Sequence, residues 1–132
     1  MTEVDPTDLV QPAAVRLVAD YARYLDERDA EAWVDLFTPD GEIVYGERRI
    51  VGHEALARFL DGTPRGVHIA GPPSIALVGD EIHSYSTIAF VDASSGGTRA
   101  VVNRDRMVRH EGRLRLRERR IELRADTLQP RE

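Results

Sequence analysis

Apolar residues recur at helical spacing in the first half of the chain. Between Val10 and Arg28 they fall three or four positions apart, which predicts an amphipathic helix. A shorter helix is predicted from Asp29, which can cap it, to Phe37, and another over His53 to Leu60. A turn over residues 38–41 and a short strand over Glu42 to Tyr45 separate the last two helices.

The second half of the chain changes to the alternating pattern of strands. Four strands are predicted, over Ile75–Val78, Glu81–Val91, Arg99–Arg109 and Arg113–Leu123. In the last one the apolar positions change parity between Leu116 and Ile121, which predicts a bulge near residues 118–120.

The order of these elements predicts an α+β fold. Because the sheet needs helices against one apolar face, we expect a single domain in which a cone-shaped, curved antiparallel sheet wraps around the N-terminal helices. The interior of such a cone can hold a small molecule.

Composition narrows the chemistry of this 132-residue chain. It has no cysteine, which excludes disulfides, thiolate metal sites and a cysteine nucleophile. Its 18 basic residues are all arginine, so Schiff-base chemistry on lysine and a lysine-bearing phosphate loop are excluded as well. The start of the chain is acidic and no apolar run could cross a bilayer, so we expect a cytoplasmic protein without a membrane partner.

Charge is divided unevenly along the chain. Residues 1–98 hold 7 arginines against 17 acidic residues, and residues 99–124 hold 10 arginines against 4. One reading is a nucleic-acid surface on the last two strands. The net charge of −5 and the lack of interleaved aromatic residues favour instead a solvated face or a dimer contact, and we expect no nucleic-acid partner. The arginines in question are Arg104, Arg106, Arg113, Arg115, Arg117 and Arg119.

Three polar residues are candidates for chemistry. Asp26 follows the apolar stripe of the first helix, His68 lies in an apolar segment just before a predicted strand, and Asn103 interrupts a valine-rich strand. Each has a plainer interpretation: a solvated carboxylate, a core histidine, or an asparagine bonded within the sheet. Asp105 could join the site or pair with Arg119 or Arg120. The histidines lack metal-ligand spacing, so we predict no metal.

Three spaced motifs carry a family resemblance. They are Tyr21-x-x-Tyr24-Leu25-Asp26-x-x-Asp29-x-x-Ala32-Trp33-x-x-Leu36-Phe37-x-x-Asp40-Gly41, then Gly52-x-Glu54-Ala55-Leu56, then Arg104-Asp105-Arg106-x-Val108-Arg109-x-x-Gly112-x-Leu114-x-Leu116-x-Glu118-Arg119-Arg120. The chain resembles the SnoaL-like domains of the nuclear-transport-factor-2-like superfamily, which hosts dehydratases, isomerases, cyclases, epoxide hydrolases and non-enzymes. The resemblance implies one domain over residues 8–124, with flexible tails at 1–7 and 125–132, and a homodimer formed through the sheet.

The resemblance also implies roles for individual residues. In scytalone dehydratase and hexachlorocyclohexane dehydrochlorinase, an Asp and a His at the positions of Asp26 and His68 form the catalytic pair. Two further positions in scytalone dehydratase correspond to Tyr45 and Asn103, which we expect to contact substrate. The remaining residues expected in the substrate pocket are Trp33, Tyr24, Phe90 and Met107.

Three family positions differ in this chain. Leu25 stands where the family has a second pocket tyrosine, Asp92 lies near the place of a second histidine, and Val101 replaces a pocket serine. These differences argue against scytalone as the substrate.

Two functions from different classes follow. The first is a cofactor-independent lyase or isomerase, dehydratase- or cyclase-like, acting on a small cyclic carbonyl compound, for which secondary metabolism is a plausible setting by resemblance. The alternative is a non-catalytic module that binds a small ligand or a protein. An enzyme requires an open cavity with the Asp26–His68 pair facing into it.

Overall fold

The computed structural model describes residues 3–124, which form three helices and seven strands. The helices are α1 (Pro6–Glu27), α2 (Ala30–Val34) and α3 (His53–Asp61), and the strands are β1 (Phe37–Tyr45), β2 (Arg48–Val51), β3 (Gly66–Ala70), β4 (Ser74–Val78), β5 (Glu81–Asp92), β6 (Thr98–His110) and β7 (Arg113–Leu123). Among the described residues, no helix is both long and apolar enough to cross a membrane.

The strands form one curved, unclosed sheet, and helices precede it in the chain as predicted. Its order is β2-β1-β7-β6-β5-β3, and β4 pairs with the half of β5 that β3 leaves free. The strands β5, β6 and β7 form the expected antiparallel meander. β1, however, runs parallel to β7, so the sheet is mixed and not wholly antiparallel.

Two local predictions fail around β1. The predicted second helix reaches Phe37, but α2 ends at Val34 and Phe37 already belongs to β1. The predicted turn over residues 38–41 lies inside β1, where the pairing with β7 shifts register between Phe37 and Glu42. Gly41 permits this irregularity, since a Cβ there would lie 2.9 Å from Leu116 O and 2.9 Å from Phe37 Cβ.

The bulge in β7 confirms the sequence argument to within one residue. Arg106 is opposite Glu118 and Met107 is opposite Leu116, which leaves Arg117 as the extra residue. The shift turns Arg119 inward, and its side chain is fully buried. The expectation that Arg119 lies on the outer face was therefore wrong, because that face of the strand changes at the bulge.

The core lies between the helices and the concave face of the sheet. Trp33 is completely buried, and its ring lies 5.5 Å from that of Tyr21, 5.2 Å from that of Phe37 and 6.5 Å from that of Phe59. These aromatic contacts join α1, α2, α3 and β1, and they fix the helices on one end of the sheet.

The first two helices each begin at an aspartate that caps them. Helix α1 begins at Pro6, four residues before the predicted start at Val10, and Asp5 caps it by accepting a hydrogen bond from Thr7 N. Asp29 caps α2 as predicted, through Ala32 N at 3.1 Å. The expected tail at residues 125–132 and the first two residues lie outside the described part of the chain.

Candidate active site

Asp26 and His68 form a close, two-point contact. Asp26 Oδ1 lies 2.6 Å from His68 Nδ1, and Asp26 Oδ2 accepts a hydrogen bond of 2.9 Å from the His68 backbone N–H. Both side chains are partly enclosed, with 22% of Asp26 and 17% of His68 exposed. The carboxylate thus fixes both the strand position and the ring of the histidine.

Asp26 is held in place by the end of helix α1. Two residues later, Arg28 takes a left-handed conformation at φ 60° and closes the helix, with its N–H bonded to Leu25 O. The Arg28 guanidinium reaches the end of α3, where it donates to Leu60 O, and the segment after it, where it donates to Thr63 Oγ1, each at 2.8 Å. The last turn of α1 is therefore anchored to a second element.

His68 is placed by strand β3, which the sequence interpretation missed. β3 pairs with β5 so that His68 is opposite Phe90, and the two rings lie 4.6 Å apart. Gly66 allows the strands to approach, because a Cβ at that position would lie 2.1 Å from Val91 O. His68 is therefore a strand residue whose ring faces the concave side of the sheet.

The contact assigns the histidine tautomer. An ionised carboxylate can only accept, so Nδ1 must donate its proton to Asp26, and in a neutral ring Nε2 then carries the lone pair. Within residues 3–124 no hydrogen bond engages Nε2, and the His68 ring lines a cavity. The free nitrogen is available to accept a proton from a bound molecule.

The cavity has a volume of about 350 Å³ and lies inside the cone. Its deep wall is largely apolar and includes the buried residues Leu25, Ile88 and Phe90. Its lining also includes exposed residues, so it communicates with solvent. A volume of this size suits a compound of one to three rings.

Four of the predicted site residues meet at this cavity. His68, Tyr45, Asn103 and Phe90 line it, and Asp26 lies directly behind His68. Asn103 is 2% exposed and its Oδ1 has no hydrogen-bond partner in the described part of the chain. A buried oxygen in this state is available to accept a hydrogen bond from a ligand.

Three other predicted pocket residues lie elsewhere. Trp33 and Met107 are completely buried in the core, and Tyr24 packs against the core outside the cavity lining. The cone has a packed end and an open end, and Trp33 and Met107 belong to the packed end. We therefore leave all three out of the candidate site.

The floor of the cavity contains Tyr21, from helix α1. Burial raises the pKa of the Tyr21 hydroxyl, and the nearby Arg119 partly opposes that rise. The Arg119 guanidinium lies 3.9 Å from the centre of the Tyr21 ring. Tyr21 therefore presents a neutral phenol at the cavity floor.

Arg119 is itself held by Asp105, through two hydrogen bonds of 2.8 Å. Both side chains are fully buried. Burial acts to lower the pKa of Arg119, but Asp105 and Tyr21 outweigh it and raise that pKa. The sequence left two roles open for Asp105, and the structure shows the ion pair with Arg119. Asp105 does not line the cavity.

The described part of the chain holds no cluster of metal-binding side chains. Over residues 3–124, no group of three or more His, Asp or Glu side chains is arranged to hold a metal ion.

Residues 11–120 match the family model described as the SnoaL-like domain. The chain belongs to the SnoaL-like domain family. Among curated proteins, none matches the chain.

Solved structures share the fold at low sequence identity. A protein of unknown function from Mycobacterium tuberculosis is 24% identical with a TM-score of 0.80, and the match covers 92% of this chain and 78% of that one. A candidate scytalone dehydratase from Novosphingobium aromaticivorans is 21% identical with a TM-score of 0.71, covering 89% and 86%. A hexachlorocyclohexane dehydrochlorinase from Novosphingobium barchaimii is 15% identical with a TM-score of 0.75, covering 92% and 91%. These similarities establish the nuclear-transport-factor-2-like fold, which is shared by dehydratases, dehydrochlorinases and proteins of unknown function.

Proposed function

We propose that this SnoaL-like protein is a cofactor-independent lyase or isomerase that uses Asp26 and His68 as a general acid–base pair. The observation that carries the proposal is the 2.6 Å contact between Asp26 Oδ1 and His68 Nδ1, with the histidine ring lining an open cavity. A non-catalytic module has no need to pair a histidine in this way at the wall of its cavity.

The chemistry begins with proton removal. His68 Nε2 takes a proton from a carbon next to a carbonyl, or from a carbon next to one that bears a leaving group. Asp26 stabilises the imidazolium that forms, through the hydrogen bond to Nδ1. His68 then returns the proton, either to the departing hydroxyl in an elimination or to another carbon in an isomerisation. General acid–base assistance of this kind is typically worth about a hundred- to ten-thousandfold in rate.

Other residues of the cavity orient the substrate. Tyr45 and Tyr21 supply phenol groups that can donate to a carbonyl oxygen as negative charge develops on it. Asn103 can accept from a substrate hydroxyl through its unpartnered Oδ1. Phe90, beside His68, provides an apolar face for a ring. We therefore expect a small cyclic carbonyl compound as substrate, of the kind found in secondary metabolism.

A panel of cyclic hydroxyketones and ketones tests this function. Product formation is followed by mass spectrometry and by ultraviolet absorbance, which detect loss of water, migration of a double bond or ring closure. We expect turnover by the natural protein and a fall of about a hundredfold or more in His68→Gln. His83→Gln is the matched control, since His83 is exposed and pairs with Glu81 outside the cavity. A His68→Gln protein that retains full activity would rule out the proposed base.

The arginine-rich face of β6 and β7 supports a structural role over nucleic-acid binding. Five of its arginines are paired with carboxylates, at 2.7 to 3.3 Å: Arg104 with Glu122, Arg106 with Glu81, Arg113 and Arg115 with Asp35, and Arg117 with Asp40. The carboxylates offset most of the positive charge that would attract phosphates. We propose no nucleic-acid partner, and we retain a homodimer through the sheet as a proposal that sedimentation equilibrium can test.

A further inference from the structure

The mouth of the active-site cavity carries three arginines from three separate elements. Arg48 comes from β2, Arg58 from α3 and Arg99 from β6, and all three line the cavity that His68 lines. All three are exposed. Over residues 3–124, no carboxylate side chain contributes to the lining. We call these residues the mouth arginines.

Two of the mouth arginines are oriented by aromatic residues of the same cavity. The Arg48 guanidinium lies 5.8 Å from the centre of the Phe59 ring, and that of Arg99 lies 5.3 Å from the centre of the Phe90 ring. A guanidinium held over a ring keeps its N–H groups free at the edges of its plane. Arg48 and Arg99 are thus positioned over the cavity and still able to bind an anion.

The third mouth arginine, Arg58, already forms a weak ion pair with a carboxylate of its own helix. Arg58 pairs with Glu54 at 3.0 Å along the same helix, and the two side chains are 68% and 92% exposed. A pair this exposed contributes little free energy and is easily exchanged for another partner. Arg58 can therefore add to the positive charge when an anion binds.

The charge at the mouth is opposite to that of the whole protein. The chain has a net charge of −5, which by itself would repel an anion. Field lines concentrate in a cleft lined by one sign of charge, so the local arginines determine what enters. Deeper in the cavity the wall is apolar, with Leu25, Ile88 and Val101.

From this arrangement we propose that the substrate is an organic acid: an apolar ring system seated in the cavity beside His68, with a carboxylate held at the mouth by Arg48, Arg99 and Arg58. This inference rests on the proposed function for its catalytic meaning, and it narrows the substrate from cyclic carbonyl compounds in general to those that bear an acidic group. The carboxylate anchors the ring while His68 acts on a carbon further inside. Arginine suits this task, since its planar guanidinium can bind a carboxylate through two parallel hydrogen bonds.

The test compares two probes of the same shape, 2-naphthoate and 2-naphthamide, which differ in charge. Dissociation constants are measured by calorimetry or by NMR titration at about 20 mM and about 300 mM sodium chloride. We expect the natural protein to bind the acid about tenfold more tightly than the amide at the lower salt concentration, and the preference to shrink at the higher one. In the double variant Arg48→Gln/Arg99→Gln the preference should fall to about twofold or less.

Arg109→Gln is the matched control, because Arg109 is an exposed arginine of β6 outside the cavity lining. It should keep the full preference for the acid. Equal binding of the two probes by the natural protein, failure of both to bind at millimolar concentration, or a preference that survives in the double variant would each overturn the proposal.

This test measures binding, whereas the test of the proposed function measures turnover. The two proposals can therefore fail independently of each other. A preference for the acid in a protein that turns over no substrate would contradict only the acid–base function. Turnover of neutral ketones without any preference for the acid would contradict only the role of the mouth arginines.

Discussion

Asp26 binds His68 at two points, although the two residues stand 42 positions apart in the chain: Oδ2 accepts from the backbone N–H and Oδ1 from ring Nδ1. One carboxylate at the end of a helix thereby fixes the position of a strand and the tautomer of its histidine.

Replacing Asp26 by Asn should change the tautomer of His68 while leaving the fold intact. The amide can offer an N–H to Nδ1, which favours the form with the proton on Nε2 and removes the base. Long-range ¹H–¹⁵N NMR spectra should show an unprotonated Nε2 in the natural protein and a protonated one in the variant. Activity should fall about a hundred- to ten-thousandfold. Asp20→Asn, on the same helix, should change neither, and an unaltered histidine spectrum in Asp26→Asn would contradict the assignment.

Gly66→Ala should disturb the site from the neighbouring strand. Its Cβ would lie 2.1 Å from Val91 O and 2.6 Å from the Phe90 ring, so β3 must move away from β5. Crowding of this kind costs about 1–3 kcal/mol of unfolding free energy. Gly71→Ala is the matched control, because its Cβ would make only an ordinary 3.5 Å contact with Thr87 O. Urea unfolding of both variants measures the difference, and equal stability of the two would refute the role given to Gly66.

Asn103→Leu should separate binding from stability. The substitution removes a buried oxygen that has no partner in the described chain, so the unfolding free energy should stay the same or rise by up to about 1 kcal/mol. Affinity for a hydroxyl-bearing ligand should fall about tenfold, since the group that accepts from it is gone. Ser84→Ala serves as control, because Ser84 Oγ is also buried and unpartnered but lies outside the cavity lining. Loss of stability without loss of affinity in Asn103→Leu would mean that Asn103 is structural.

Breaking the buried ion pair of Asp105 and Arg119 should lower the free energy of unfolding more than breaking any surface pair. Asp105→Ala leaves the Arg119 guanidinium buried without its carboxylate, which should cost about 3–5 kcal/mol. Breaking the exposed pair through Glu54→Ala should cost less than about 0.5 kcal/mol. Chemical denaturation gives both values. A loss below about 1 kcal/mol in Asp105→Ala would show that water reaches the pair.

Stability should also fall in acid through Glu81. Hydrogen bonds from Arg106 and His83 lower the pKa of Glu81 from 4.5 to about 2. Since the folded pKa lies below the unfolded one, the unfolded chain binds the proton first as the pH falls, and the contribution present above pH 4.5 is lost toward pH 2. The difference in urea midpoint between the natural protein and Glu81→Gln should therefore be largest near neutrality and shrink below pH 4.5. A difference that is independent of pH would contradict this assignment.

Periodicity and resemblance predicted the helices, the meander and the Asp26–His68 pair, and the misses have physical reasons. Strand β3 is five residues long and followed by Gly71 and two prolines, so only its pairing with β5 identifies it. Arg119 has the same parity in the sequence as Arg113 and Arg115, but the bulge at Arg117 turns it inward. The mouth arginines come from three separate elements, and nothing local in the sequence indicates that the fold brings them to one cavity.

The most direct test of the central claim is deuterium exchange from D₂O into carbons next to the carbonyl of cyclic ketones that NMR has shown to bind in the cavity. The account predicts that the natural protein exchanges at least one such position about a hundredfold faster than His68→Gln, with His83→Gln unimpaired. Exchange at the same rate in the natural protein and in His68→Gln, for every compound that binds, would show that His68 is not a base.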